Sequence, residues 1–298
     1  MLMETEKQPN VLLRKIKGYF KLMRPQHYLK NVLVLLPLIC AHLVTSWDAW
    51  KVAIPGFFVF CLLSSTIYII NDLKDRNKDK NHPRKCNRPL ASGVVSVPEA
   101  IVLMTLLLAG AIVLNIFTYY SYVSWIVLGA YLFLNIGYSF GLKNIPIIDV
   151  IILVSGYFIR AFYGSIITNV VISNWMFLTV VMFSFYLGFG KRRNELEQLG
   201  ENETRPVLKA YTHTFLDKFM YVSLGLAIVF YSLWCVDPVT NNARLIWTIP
   251  FVVAIAMKYS LDVEGHSDGD PIEVILHDHI LLVAGVLFLV TFMLLIYL

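Results

Sequence analysis

The sequence predicts an all-α integral membrane protein, a bundle of about nine transmembrane helices with a cytoplasmic N-terminus. Three observations carry that expectation. Hydrophobic residues make up 57% of the 298 positions, mean hydropathy is +0.65, and charged residues are 15%, against about 25% in soluble domains. The charges are bunched, which leaves apolar runs of the roughly 20 residues needed to cross a hydrocarbon core. The basic residues also fall mostly on one side of those runs.

Apolar windows place the spans at about 30–46, 51–70, 98–117, 122–140, 147–168, 174–190, 217–235, 244–260 and 278–297. The first contains Pro37 and the second Pro55. Both are tolerable in a bundle, where neighbouring helices re-satisfy the freed backbone groups. Residues 1–298 are therefore expected to form a single membrane domain, with a polar cytoplasmic segment at 1–27 and two long cytoplasmic loops at 71–97 and 191–216. The first 27 or so residues lack the short apolar core and small-residue cleavage site of a signal peptide. Cys40, Cys61, Cys86 and Cys235 are scattered without a C-x-x-C pair, so they read as small hydrophobes rather than metal ligands or disulfides.

Orientation follows from where the cations lie. With the N-terminus inside, the inner segments are 1–30, 71–97, 141–146, 191–216 and 258–277. Together with Lys218 they hold every Lys and Arg except Lys51, Arg160 and Arg244. That is the asymmetry of the positive-inside rule, and it points to a cell membrane with the polar loops facing the cytoplasm. The net charge of +5 then needs no nucleic acid to explain it.

The loop after the second span opens with Asn71-Asp72-Leu73-Lys74-Asp75-Arg76-Asn77-Lys78-Asp79. If the span continues as a helix, Asp72, Asp75 and Asp79 fall within about 60° of one another, and Lys74 and Lys78 point to the other side. Carboxylates on one face at a helix end repel unless a cation joins them. Mg²⁺ suits such a set, because it prefers carboxylate oxygens and takes its other ligands from water and substrate phosphates. A solvated charge run is the plain alternative.

Further along, Arg84, Lys85 and Arg88 are either positive-inside anchors or clamps for phosphate oxygens. Ahead of the first span, Gln26, Lys30 and Asn31 abut apolar sequence. Lys30 is either an interfacial anchor or a phosphate contact. Asp149 opens the fifth span, and Arg160 lies eleven residues on, about 16 Å deeper on the same face. A charge at that depth is functional or paired with another helix. Tyr138 and Lys143 stand at the inner surface just before that span. On a helix Glu195 lies beside Lys191 and Arg192, so this turn is either a self-paired patch or a second phosphate site. The acidic residues Asp262, Glu264, Asp268, Asp270, Glu273 and Asp278 surround Gly265, Gly269 and Pro271 and read as a structural turn.

The N-D-x-x-D-x-x-x-D loop after the second span resembles the UbiA superfamily of intramembrane prenyltransferases. R-P-x-Q-x-x-K-N at Arg24–Asn31, H-P-x-K-x-x-R-P at His82–Pro89 and Y-S-x-x-L-K-x-x-P-x-x-D at Tyr138–Asp149 look like one branch of it. So do Arg160-Ala161 and G-K-R-x-x-E at Gly190–Glu195. That branch comprises the decaprenyl-phosphate phosphoribosyltransferases of actinobacterial cell-wall synthesis and their relatives. Aromatic prenyltransferases carry a second acidic motif after the sixth span, where this chain is basic. That departure favours a lipid monophosphate over a prenyl diphosphate.

The resemblance implies a UbiA-type bundle and a Mg²⁺-dependent phosphoribosyl transfer. The donor would be 5-phosphoribosyl 1-pyrophosphate and the acceptor a polyprenyl phosphate in the membrane. It implies a metal held by Asp72, Asp75 and Asp79, with Asn71 orienting that shell. Arg84, Lys85 and Arg88 would grip the donor's phosphates, and Lys30, Lys191 and Arg192 are candidates for the lipid phosphate. The resemblance is compatible with a homo-oligomer. Two other functions compete: a UbiA-type aromatic prenyltransferase using a prenyl diphosphate, and a transporter relaying charge through Asp149 and Arg160. Clustering of the ionisable residues at one surface, away from the midplane, argues against the transporter.

Overall fold

The computed structural model describes residues 11–81, 85–118, 121–198, 206–238, 243–265 and 271–297, and among them every regular element is helical. Val11–Met23 forms α1. A 3-10 segment, Pro25–Leu35, leads into the short helix α2, Leu36–Cys40. The long helix α3 runs from Trp47 to Lys80 with Pro55 inside it, as the sequence allowed. After it come α4 (Val97–Thr118), α5 (Tyr122–Phe140), α6 (Ile148–Thr168), α7 (Asn174–Gln198) and α8 (His213–Val236). The chain closes with α9 (Ile249–Glu264), α10 (Pro271–His277) and α11 (His279–Tyr297).

Among the described residues, seven helical segments are long and apolar enough to cross a membrane. They coincide with seven of the nine expected spans. The expected sixth span lies in α7, whose C-terminal part runs on through Lys191-Arg192-Arg193-Asn194-Glu195. The expected first span, 30–46, is not one continuous helix, which corrects the sequence reading. Its 3-10 segment begins at Pro25 directly after Arg24, whose backbone is left-handed (φ 56°), and Pro37 starts a new helix. Proline has no N–H to give to a helix ladder, so a chain carrying two of them is readily broken into short pieces.

That broken segment is held against α6 at very close range. A Cβ on Gly164 would lie 2.0 Å from the Val34 carbonyl oxygen, so only glycine lets the two backbones meet. Around this contact Val34, Phe60, Leu63, Tyr131, Ile159 and Tyr163 form one buried cluster. A second joins α6–α9, with Tyr186, Leu216, Met220 and Val263 at its centre. Among the membrane-crossing helices, α3 and α6 are the most buried, whereas α4 and α11 expose much of their apolar length. Phe117 and Leu106, exposed at 83% and 65%, are typical of that outer surface. Such exposure costs little where the surroundings are lipid tails.

Candidate active site

The site is assembled along the C-terminal part of α3. Its helical period continues without a break to Lys80, so Asn71–Asp79 is helix and the three aspartates share a face, as their spacing predicts. Asp72 and Asp79 are buried, at 2% and 4% exposure, and Asn71 and Asp75 are half-buried. Each carboxylate meets a cation brought from elsewhere in the chain. One guanidinium nitrogen of Arg88 donates to Asp72 Oδ1 at 3.1 Å and to Asp79 Oδ2 at 2.7 Å. Arg24 donates to the same Asp72 oxygen at 2.5 Å and lies over the Tyr68 ring. Lys143, from the turn after α5, chelates both oxygens of Asp75 at 2.7 and 3.0 Å.

The donor set on this face is of the kind that a divalent cation takes. It is all oxygen, and two buried carboxylate oxygens already converge on one positive nitrogen of Arg88. Two carboxylates completed by water and phosphate are a usual Mg²⁺ shell. Among the described residues no three His, Cys, Asp or Glu side chains are gathered so that they could hold a metal ion: Asp72 and Asp79 converge, while Asp75 is held apart by Lys143. The residues therefore fit an open, substrate-completed ion rather than a structural one. Arg84 falls outside the described residues, as do His82 and Pro83. Lys85 is half-buried in the turn just ahead of Arg88.

A second network joins the C-terminal end of α5, the N-terminal end of α6 and the C-terminal part of α7. Arg192 is 1% exposed and makes three charge-assisted bonds: to Asp149 Oδ2 at 2.6 Å, Glu195 Oε2 at 2.6 Å and the Tyr138 hydroxyl at 2.9 Å. Asp149 is fully buried and takes a further bond from the Tyr211 hydroxyl at 2.6 Å. Burial, then the bond to Asp149, pushes the Tyr211 phenol up to about 12, so it stays a donor. Lys191 and Glu195 are half-buried on the same turn, and Arg193 is paired with Asp217 and Glu197.

The third set lies deeper. Arg160 is 5% exposed, and its guanidinium is held by neutral acceptors: Asn31 Oδ1 at 2.7 Å, the Gly156 carbonyl at 2.5 Å and the Tyr131 hydroxyl at 2.7 Å. Asn31 in turn donates to Ser64 and Cys61 on α3. Lys30 is half-buried on the same segment, while Gln26 is exposed. Asp149 and Arg160 are thus not partners of one another; each serves a different network.

Sequence reasoning missed three contributors. Arg24 is one: its place directly before a proline at a helix end is the signal the sequence offers. Tyr131 and Tyr211 carried no local signal, since each gains its role only from tertiary contact.

Residues 34–270 match the UbiA prenyltransferase family. This chain belongs to that family. Among its relatives is the decaprenyl-phosphate phosphoribosyltransferase of Mycolicibacterium smegmatis, 34% identical over 94% of this chain and 93% of that protein. The Corynebacterium glutamicum protein of the same name is also 34% identical, over 89% of this chain and 82% of its own. A solved UbiA homolog from Archaeoglobus fulgidus, bound to GPP and Mg²⁺, superposes with a TM-score of 0.71 over 94% of this chain and 100% of its own. At 16% sequence identity that likeness bears on the fold alone.

Proposed function

We propose that this UbiA-family protein is a membrane phosphoribosyltransferase of cell-wall precursor synthesis. It would move the 5-phosphoribosyl group from 5-phosphoribosyl 1-pyrophosphate to a decaprenyl-like polyprenyl phosphate and release pyrophosphate. The observation that carries the reading is the nearly end-to-end similarity to two proteins named for that lipid and that transfer. The charge arrangement supports it. A soluble, highly anionic donor needs the cations that surround Asp72, Asp75 and Asp79, and it would reach them from the cytoplasmic side of the cell membrane.

In the reaction a lipid phosphate oxygen attacks the anomeric carbon of the ribose, and the bond from that carbon to pyrophosphate breaks. No general base is needed, because the acceptor phosphate is already ionised. Asp72 and Asp79 would hold Mg²⁺, with Asp75 joining from the same face and Asn71 orienting the shell. The ion would supply Lewis-acid neutralisation of the departing pyrophosphate. Arg24, Arg84, Lys85, Arg88 and Lys143 would take the donor's phosphate oxygens, Arg with two parallel donors. Lys30, together with Gln26 and Asn31 on the broken segment, is suited to the acceptor phosphate. Arg160 orients that segment through Asn31. Arg192 acts through Asp149, Tyr138 and Glu195 as a positioning residue between helices, with Lys191 beside it at the surface. Catalysis then rests on alignment and fixed charge.

The test is purified protein with 5-phosphoribosyl 1-pyrophosphate, Mg²⁺ and a polyprenyl phosphate. Pyrophosphate release with formation of a phosphoribosyl lipid is expected. No release, together with turnover of a prenyl diphosphate and an aromatic acid, would overturn the assignment.

A further inference from the structure

α1 presents three faces at 100° per residue. The first docks on the protein: Leu22 is fully buried, Lys15 pairs with Glu99 at 2.6 Å, and a Cβ on Gly18 would meet Val94 and Val95 at 3.0 and 3.1 Å. The second is apolar and open, with Leu13, Ile16 and Phe20 exposed at 50%, 41% and 60%. The third is a row of exposed cations, Arg14, Lys17 and Lys21. No acidic residue occurs anywhere in Val11–Met23. An apolar stripe flanked by cations alone is the pattern of a helix lying in the plane of a membrane interface.

The helix is also joined to the site with no intervening linker. Arg24 follows Met23 directly, its amide bonds back to the Phe20 carbonyl at 3.2 Å, and its side chain donates to Asp72 at 2.5 Å. A shift of α1 therefore moves the cation on Asp72, the most buried of the three α3 aspartates. We infer that α1 is a docking surface for an anionic lipid leaflet, its cations on the headgroups and its apolar stripe at the acyl boundary, and that this docking seats Arg24 on Asp72. Charge complementarity favours anionic headgroups over a protein partner, because every charge on the open faces has one sign.

The experiment uses the full chain in phosphatidylcholine nanodiscs with and without phosphatidylglycerol. Hydrogen exchange over residues 11–23 is followed, together with pyrophosphate release. Phosphatidylglycerol is expected to slow exchange in α1 and raise turnover. The double variant Arg14→Gln/Lys17→Gln should lose that response, by on the order of tenfold for two cations at an anionic surface. Lys51→Gln, at the far end of α3, should keep it.

Equal exchange in both bilayers overturns the inference. So does an equal loss of activity by the double variant in both, or protection that tracks association of copies by native mass measurement. The activity readout rests on the phosphoribosyl-transfer reading, whereas the exchange readout does not. Protection that follows lipid charge without turnover in either bilayer would sink that reading and leave the docking surface standing.

Discussion

Replacing Arg192 with Gln separates a positioning role from a phosphate contact. The side chain is 1% exposed and bonds three partners, of which Asp149 is fully buried. Removing one partner of such a pair costs about 3–5 kcal/mol, because the other charge stays buried without compensation. Asp149 keeps the Tyr211 bond at 2.6 Å, which places the cost near the lower end, about 3 kcal/mol. In a chain of this size that corresponds to a fall in Tm on the order of 10 °C. Asp149→Asn should cost less, since Arg192 then keeps Glu195 and Tyr138. The double variant should be milder than the sum of the two by about 1 kcal/mol or more, as expected for residues in direct contact. Thermal unfolding of detergent-purified variants measures these differences, and initial rates against each substrate complete the assay. With a positioning role, kcat falls with Tm and Arg192→Lys rescues part of both. A variant that melts like the parent but shows a raised KM for donor or lipid phosphate would refute it.

Asp72→Asn and Asp79→Asn are each expected to lower turnover by about 100-fold or more, the scale of losing a group that neutralises developing charge. Their Tm should change little, since Arg88 is partly exposed and can be solvated; near-normal rates in both would remove the acidic face from the mechanism. Chelation of divalent cations should abolish pyrophosphate release and added Mg²⁺ restore it, and a rate indifferent to both would exclude a metal-assisted donor. Gly164→Ala should destabilise by about 3 kcal/mol, the upper range of overpacking, because its Cβ would meet the backbone of Val34 at 2.0 Å. Gly225→Ala, with nothing within 4 Å of the added carbon, is the control and should melt at or above the parent.

What the sequence revealed and what it concealed have separate physical causes. The face shared by Asp72, Asp75 and Asp79 was legible because helical periodicity is local and α3 simply continues. The same locality exposed the Arg192–Glu195 pair, three residues apart. Nothing local joins Arg192 to Asp149, 43 residues away in the chain, or Arg160 to Asn31, 129 residues away. For that reason the depth relation between Asp149 and Arg160 suggested a shared role that they do not have. Windowed hydropathy joined 30–46 into one span because it is blind to backbone hydrogen bonding. Pro37 alone is compatible with a continuous span in a bundle, but the left-handed Arg24 and the backbone contact at Gly164 are tertiary facts.

The disposition of cations also changes how the basic turn after α7 bears on substrate choice. Read from sequence, Lys191-Arg192-Arg193 looked like a supply of positive charge for a lipid phosphate. In the fold Arg192 is committed to Asp149 and Glu195, and Arg193 to Asp217 and Glu197. Most of that charge therefore balances the protein's own carboxylates, and drawing Arg192 away would uncover a buried aspartate. The cations around α3 differ in kind. Arg88, at 25% side-chain exposure, and Arg24, at 18%, hold carboxylates that a divalent ion can hold in their place. If Asp72 and Asp79 held a divalent ion, Arg24 and Arg88 would be available to phosphate oxygens, and no buried charge would be left unpaired. The partly exposed cations on α3, rather than the basic turn itself, are the ones that would suit the proposed pyrophosphate donor.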